Sequence, residues 1–242
     1  MNASLTQAAA AMTANARWQD VIAGNLAAAS VPGFKRQEIS FASIADAVSG
    51  AASRPMLRAT AVTSFRPGEL RPTGSPTDVA LEGDGFFTIR LPDGSEAYTR
   101  DGEWHVNAEG VLVTKQGFPV LGETGPIQLD RDTSAPLTIG ADGQIRQGAE
   151  NKGALRIMAF NDPRLLTSAS GGCFLARDPK LAGGPVATPL VRQGFLEGAN
   201  TSAVMEMAGL LSAMRAFEAS QRIVQAQDER MGRAIQEIAN PV

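Results

Sequence analysis

The 242-residue chain contains a single cysteine, Cys173, and a single histidine, His105. One cysteine excludes an internal disulfide framework and any multi-cysteine metal cage, and one histidine excludes a two-histidine zinc site. Aromatic residues make up only 5% of the chain, so few large side chains are available to fill one big core. Lysine is scarce as well, with 4 Lys beside 18 Arg, and these 22 scattered bases are offset by 25 acids for a net charge of -3. A nucleic-acid-binding surface is therefore not expected. No stretch approaches the roughly 18 consecutive apolar residues that a membrane span requires. Met1 to Ala16 holds no Lys or Arg, and its alanines are interrupted by Thr6, Gln7, Thr13 and Asn15. A cleavable secretory signal is therefore not expected there.

What the chain does contain is unevenly distributed. Residues 2–29 include eleven Ala, no Pro and one Gly, Gly24. Alanine is the strongest helix former, so this segment is predicted to be helical. Leu5, Ala9, Met12, Ala16, Ala23 and Leu26, with Gln19 between, alternate steps of four and three, which makes a heptad seam of mostly small residues. Val31-Pro32-Gly33 then stops the helix. Residues 202–239 mirror this pattern, with no Pro and glycine only at Gly209 and Gly232. Met207, Leu210, Met214, Phe217, Gln221, Val224, Asp228, Met231, Ile235 and Ile238 form the second seam. At 1.5 Å per residue the two helices would run to roughly 40 and 55 Å. Helices of that length need each other, or neighbouring chains, to bury their seams.

Between them the pattern switches to alternation and turn punctuation. Residues 78–81 and 85–90 flank the Glu82-Gly83-Asp84-Gly85 turn, and Pro92-Asp93-Gly94 marks a hairpin before 96–100. Residues 104–106 and 111–114 repeat the strand–turn–strand form. Further strands are predicted at 118–121, 126–130, 136–140, 143–147, 153–160 and 190–195. Eleven of the thirteen aromatics lie within 31–200, the exceptions being Trp18 and Phe217. The predicted fold class is α+β: long N- and C-terminal helices paired in a coiled-coil-like core, with a β-rich antiparallel middle domain. The predicted segments are an N-terminal helix and turn over 1–34, an extended connector over 35–75, the β-rich domain over 76–195 and the C-terminal helix over 196–242.

Catalytic chemistry finds little support. Asp84, Asp93, Asp101 and Asp142 each precede a glycine, and Asp-Gly is a favoured turn pair. None has the alternating-ligand spacing of a calcium loop. Gly83-Asp84-Gly85 leads into a strand and not the helix of a dinucleotide fingerprint. His105 beside Trp104 is predicted as a sheet residue, and Cys173 as a small hydrophobe in a β segment. No catalytic, cofactor-binding or metal-binding residue is expected. The paired terminal seams argue instead for self-assembly, because an alanine seam buries little area on its own.

Gly24-Asn25-Leu26-Ala27-Ala28-Ala29-Ser30-Val31-Pro32-Gly33-Phe34-Lys35 resembles the N-terminal signature of the bacterial flagellar rod and hook proteins. Residues 73–87, from Thr73 through Gly83, Gly85 and Phe87, are similar to that family's entry to the middle domain, and 97–102, 107–110 and 112–114 continue the resemblance in order. Gly194-Phe195-Leu196-Glu197-Gly198-Ala199-Asn200 and Arg215-Ala216-Phe217-Glu218-Ala219 resemble its C-terminal signature. Ala28, Val31 and Ala203 depart from the usual Asn, Thr and Pro.

The resemblance implies a non-enzymatic building block of the flagellar basal-body rod. It would be exported through the flagellar type III apparatus without a cleaved signal and would lie in the periplasmic space. Its partners would be copies of itself and other rod subunits, with no cofactor, no nucleic acid and no membrane span. Length and the run Pro92 to Arg100 are most similar to the proximal rod branch, with the distal branch next. Together with the seams, the resemblance assigns Leu5, Met12, Leu26, Met207, Leu210, Leu211, Met214, Phe217 and Val224 to packing within and between subunits. It assigns Asn25, Pro32, Gly33, Phe34, Gly83, Gly85, Gly198 and Asn200 to the turns that route the chain. A β-domain ligand-binding protein or enzyme, merely oligomerised by its helices, is the alternative of a different class.

Overall fold

The computed structural model describes residues 3–45, 55–131 and 135–239. The chain forms two compact units, one drawn from residues 1–27, 37–62 and 202–242 and the other from 28–36 and 63–201. The four consecutive segments expected from sequence are thus interleaved into two bodies.

The first unit is built on helices α1 (Ala3–Ala27) and α2 (Ala203–Ala239), within a residue or two of the Pro-free stretches that predict them. Ser202 caps α2: its hydroxyl accepts the Met205 N–H at 3.3 Å and its carbonyl the Glu206 N–H at 3.0 Å. The helices run antiparallel, since Asn15 meets Ser220 (3.2 Å), Gln19 the Ala213 carbonyl (3.4 Å) and Asn25 the Glu206 carboxylate (3.5 Å). The side chains buried at this contact are Ala8, Ala14, Asn25 and the larger apolar Ile22 on α1, and Glu206, Ala213 and Ser220 on α2.

The expected α1 seam lies elsewhere in part, because Ala9, Ala16 and Ala23 are exposed. On an alanine-rich helix every face carries methyl groups, so spacing alone does not choose the buried one. The partner helix and the polar bonds of Asn15 and Asn25 choose it.

The same unit contains a two-stranded ribbon of β1 (Gln37–Ala45) and β2 (Pro55–Thr63), paired strands within the stretch read from sequence as an extended connector over 35–75. Ile39 and Phe41 on β1, and Leu57, Ala59 and Ala61 on β2, alternate with polar or small residues in the period of a strand. Trp18 of α1 packs edge-on against Phe41, with ring centroids 6.1 Å apart.

The second unit is the β body. Its strands begin with β3 (Leu70–Pro72), β4 (Val79–Glu82), β5 (Phe86–Arg90) and β6 (Glu96–Thr99). An antiparallel six-stranded sheet places β6 and β5 at its centre. Strands 173–175 and 167–169 continue outward from β6, and 157–160 and 183–185 from β5. β4 pairs with 190–193 and β3 with 195–197, so the connector again contributes sheet structure. Smaller antiparallel pairings join 104–106 to 112–114 and 137–139 to 144–147 to 150–154.

The main core gathers Val79, Phe87, Ile89, Trp104, Leu112, Val120, Ile145 and their neighbours. A second cluster stacks Phe86, Tyr98, Leu166 and Phe174. Three Asp-Gly pairs close side-chain turns, as their type suggests: Asp93, Asp101 and Asp142 each accept the N–H two residues on.

Candidate functional site

Residues from each of the three resemblance-bearing regions meet inside the β body. After α1, the Val31 N–H bonds the Ala28 carbonyl at 3.0 Å and Gly33 adopts a φ of +67°, the left-handed conformation that favours glycine. A side chain at Gly33 would strike the Arg100–Asp101 backbone. The turn delivers Lys35 into the interior, where its ammonium lies 2.6 Å from Glu197 Oε1 and donates to the Arg66 carbonyl at 2.9 Å. Glu197 Oε1 also accepts the Gly68 N–H at 2.8 Å, and Oε2 lies 3.3 Å from Arg100 Nη1. Arg100 Nη2 in turn donates to the Gly83 carbonyl at 2.7 Å.

All three charged side chains are buried, those of Lys35 and Glu197 to 1% exposure. Burial pulls the Lys35 ammonium and the Arg100 guanidinium below their usual pKa ranges, while Glu197 holds both up.

Backbone bonds surround this knot. The Gly33 N–H reaches the Glu197 carbonyl at 2.7 Å, and the Gly198 N–H reaches that of Glu69 at 2.8 Å. Asn200 accepts the Arg36 N–H at 2.6 Å and donates to the carbonyls of Ser64 (2.7 Å) and Arg66 (3.0 Å). Pro32 and Phe34 are half-buried beside it. Gly83 and Gly85 both hold positive φ, and a side chain at Gly85 would meet Ile157 Cγ2 at 2.9 Å. The first unit has a counterpart in Asn25, 1% exposed: its amide accepts the Gln37 N–H at 2.9 Å and donates to the Gln37 carbonyl at 2.8 Å. The turn residues Asn25, Gly33, Gly198 and Asn200 therefore sit at chain junctions. Sequence reasoning quoted Lys35, Arg100 and Glu197 only as letters of motifs. The available signal was limited to Glu197, a charge between Leu196 and Gly198, since Lys35 stands beside Arg36 and Arg100 beside Asp101.

The helix-seam residues divide into two groups. Leu210, Phe217 and Val224 of α2 are half-buried, as are Met12 and Leu26 of α1; the Leu5 side chain lies outside the described residues. Met207, Leu211 and Met214 are exposed, at 54%, 59% and 47%. With exposed Val204 they step three, four and three along α2, a continuous apolar stripe on the side of the helix away from Ala213 and Ser220.

The residues considered for chemistry are placed unfavourably for it. His105 is exposed on strand 104–106, whereas Cys173 is buried, and burial pushes its thiol up to about 11. Among the described residues, no group of three or more His, Cys, Asp or Glu is positioned to hold a metal ion, and no helix is long and apolar enough to cross a membrane.

A buried knot that ties distant segments of the β body together and an exposed apolar helix face are the features of a structural protein. Residues 80–147 match the D1 domain of the flagellar hook protein FlgE/F/G family, and residues 192–237 match the C-terminal region of flagellar basal body rod FlgEFG proteins. The chain is 34% identical to the flagellar basal-body rod protein FlgF of Escherichia coli over 90% of its length and 91% of that protein's. It is 35% identical to FlgF of Caulobacter vibrioides over 82% of each chain, and 31% identical to FlgG of Borreliella burgdorferi over 96% and 97%. The chain belongs to the flagellar basal-body rod family, which is a structural family and not an enzyme family.

Proposed function

We propose that this chain is a structural subunit of the flagellar basal-body rod, of the proximal type, in which terminal helices polymerise into a helical tube that transmits torque. In this reading it reaches the periplasmic space through the flagellar type III export apparatus. It then assembles with copies of itself and with other rod subunits, packing its helices in coiled-coil-like fashion. The observation that carries the proposal is the stripe Val204, Met207, Leu211 and Met214, which the intrachain helix pair leaves uncovered. Covering what remains exposed of each such side chain is worth roughly 1–2 kcal/mol, and a polymer repeats that gain at every subunit. Among the described residues, the α1–α2 contact fully buries one large apolar side chain, Ile22, beside alanines and polar groups. Higher identity to the two FlgF proteins than to the FlgG protein supports the proximal assignment over the distal one.

Leu211→Asp and Met214→Asp test this cleanly, because both residues are exposed in the single chain and their replacement leaves its own packing intact. The expected result is an exported, folded protein that builds no rod, and cells that do not swim. Normal swimming of both variants would refute the interface. Labelled protein located at the far end of purified rods would favour the distal assignment.

A further inference from the structure

We infer that the buried Lys35–Glu197–Arg100 cluster is a latch, closing the β body around its chain junctions and opening separately from the apolar core. The chain passes between its two units at 27–28, 36–37, 62–63 and 201–202. On the β-body side, the segments next to those passages are 28–36, 63–75 and 194–201. Within them the only buried side chains are those of Lys35 and Glu197; Gly33 is buried as well but carries none. Phe65, half-buried against Phe86 and Phe174, is an apolar anchor, and Val31, Phe34, Leu70, Phe195 and Leu196 are likewise half-buried. These segments are held by Glu197, the Asn200 amide, half-buried apolar side chains such as Phe65 and a ring of backbone bonds, whereas strands β4 to β6 are held by a continuous apolar core. A region with few buried apolar contacts opens at lower free energy than the core beside it.

The charge count gives the latch its directionality. Two buried cations share one carboxylate, so Glu197 is the member whose loss leaves like charges facing each other, with Asp84 acting on Arg100 alone. Lys35 comes from the segment following α1 and Arg100 from the end of β6. Glu197 comes from the strand that pairs with β3, and its own carbonyl accepts the Gly33 N–H. Closing the latch therefore fixes the arriving segment and the returning segment in one register. This device belongs to the β body itself and holds whatever the chain assembles into.

Hydrogen exchange on the purified full chain tests it. In the unaltered protein, the N–H groups of Gly33, Gly68, Gly198 and Asn200 should exchange through an opening of lower free energy than those of Leu112 and Val120. That opening should also depend less steeply on denaturant. Glu197→Gln keeps the shape and should speed exchange at the four latch amides by roughly 100-fold or more, with Leu112 and Val120 unchanged. Adding Lys35→Met removes one of the two cations and should restore at least about tenfold of that protection, a recovery that shape alone would not produce. Three outcomes overturn the latch: equal openings for both sets in the unaltered chain, loss of the whole fold in Glu197→Gln, or no recovery on adding Lys35→Met.

Discussion

Asp101 provides the most quantitative test of how the motif residues are held. It is 6% exposed, and one carboxylate oxygen accepts the Glu103 N–H at 2.9 Å. Burial raises its pKa from the ordinary 3.8 to about 6; the Glu103 N–H and the Lys115 ammonium oppose the rise, and the Glu103 and Asp78 carboxylates add to it. A carboxyl raised on folding favours the native state while protonated. Its contribution is complete below about pH 4 and is lost as pH climbs through about 6. A shift of about 2 units corresponds to about 3 kcal/mol. Asp101→Asn keeps the acceptor for Glu103 and removes the charge. The variant should therefore match the parent near pH 4 and exceed it by about 2–3 kcal/mol at pH 8. Trp104 is a built-in reporter, since its indole N–H donates to the Asp101 carbonyl at 3.2 Å. Urea unfolding followed by its fluorescence, in a Trp18→Phe background that silences the other tryptophan, reads the β body directly. Equal stability at pH 8, or a less stable variant there, would refute the assignment of the shift to buried charge.

Two glycines separate backbone fit from helix propensity. A side chain at Gly102 would overlap the Val79 carbonyl, and the Gly102 carbonyl itself accepts the Val79 N–H at 3.1 Å; Gly102→Ala should cost about 2–4 kcal/mol in a urea melt. Gly24 faces open space on α1, and Gly24→Ala should raise thermal stability of the helical signal, by up to about 1 kcal/mol. The Thr88 hydroxyl is fully buried in β5 and has no hydrogen-bond partner among the described residues. Thr88→Val should therefore be neutral or stabilising, by up to about 1 kcal/mol, in the same melt; a clear loss would mean that the hydroxyl is satisfied after all.

The parts of the fold that were legible in the sequence are those fixed by local chemistry. Both helices could be bounded to within a residue or two, because proline and glycine frame runs of strong helix formers. Asp93-Gly94 and Asp142-Gly143 announced their turns through side-chain geometry that acts over two residues. Other elements were hidden in weaker patterns. The ribbon of β1 and β2 joins apolar alternations separated by a long interval, and strand 183–185 is Gly-Gly-Pro, with no apolar side chain to signal it. The stripe on α2 was half legible: Met207, Leu211 and Met214 were singled out, but not which α2 positions α1 covers.

Sequence alone, then, determined the helical ends, the turn-rich β middle and the order of the motifs, since helix propensity and turn chemistry act between near neighbours. Only the tertiary structure decided that Lys35 and Glu197, 162 residues apart, share a hydrogen bond, and that Arg100 joins them. A charged residue beside another, as Lys35 beside Arg36 or Arg100 beside Asp101, looks like surface in a linear text. Its burial becomes tolerable only where distant segments supply an opposite charge and several backbone partners at one point. The choice of helix face was likewise decided in three dimensions, because an alanine helix offers nearly equivalent surfaces and only the opposing helix distinguishes them. What remains uncovered on α2 is the surface that we propose the neighbouring subunit completes.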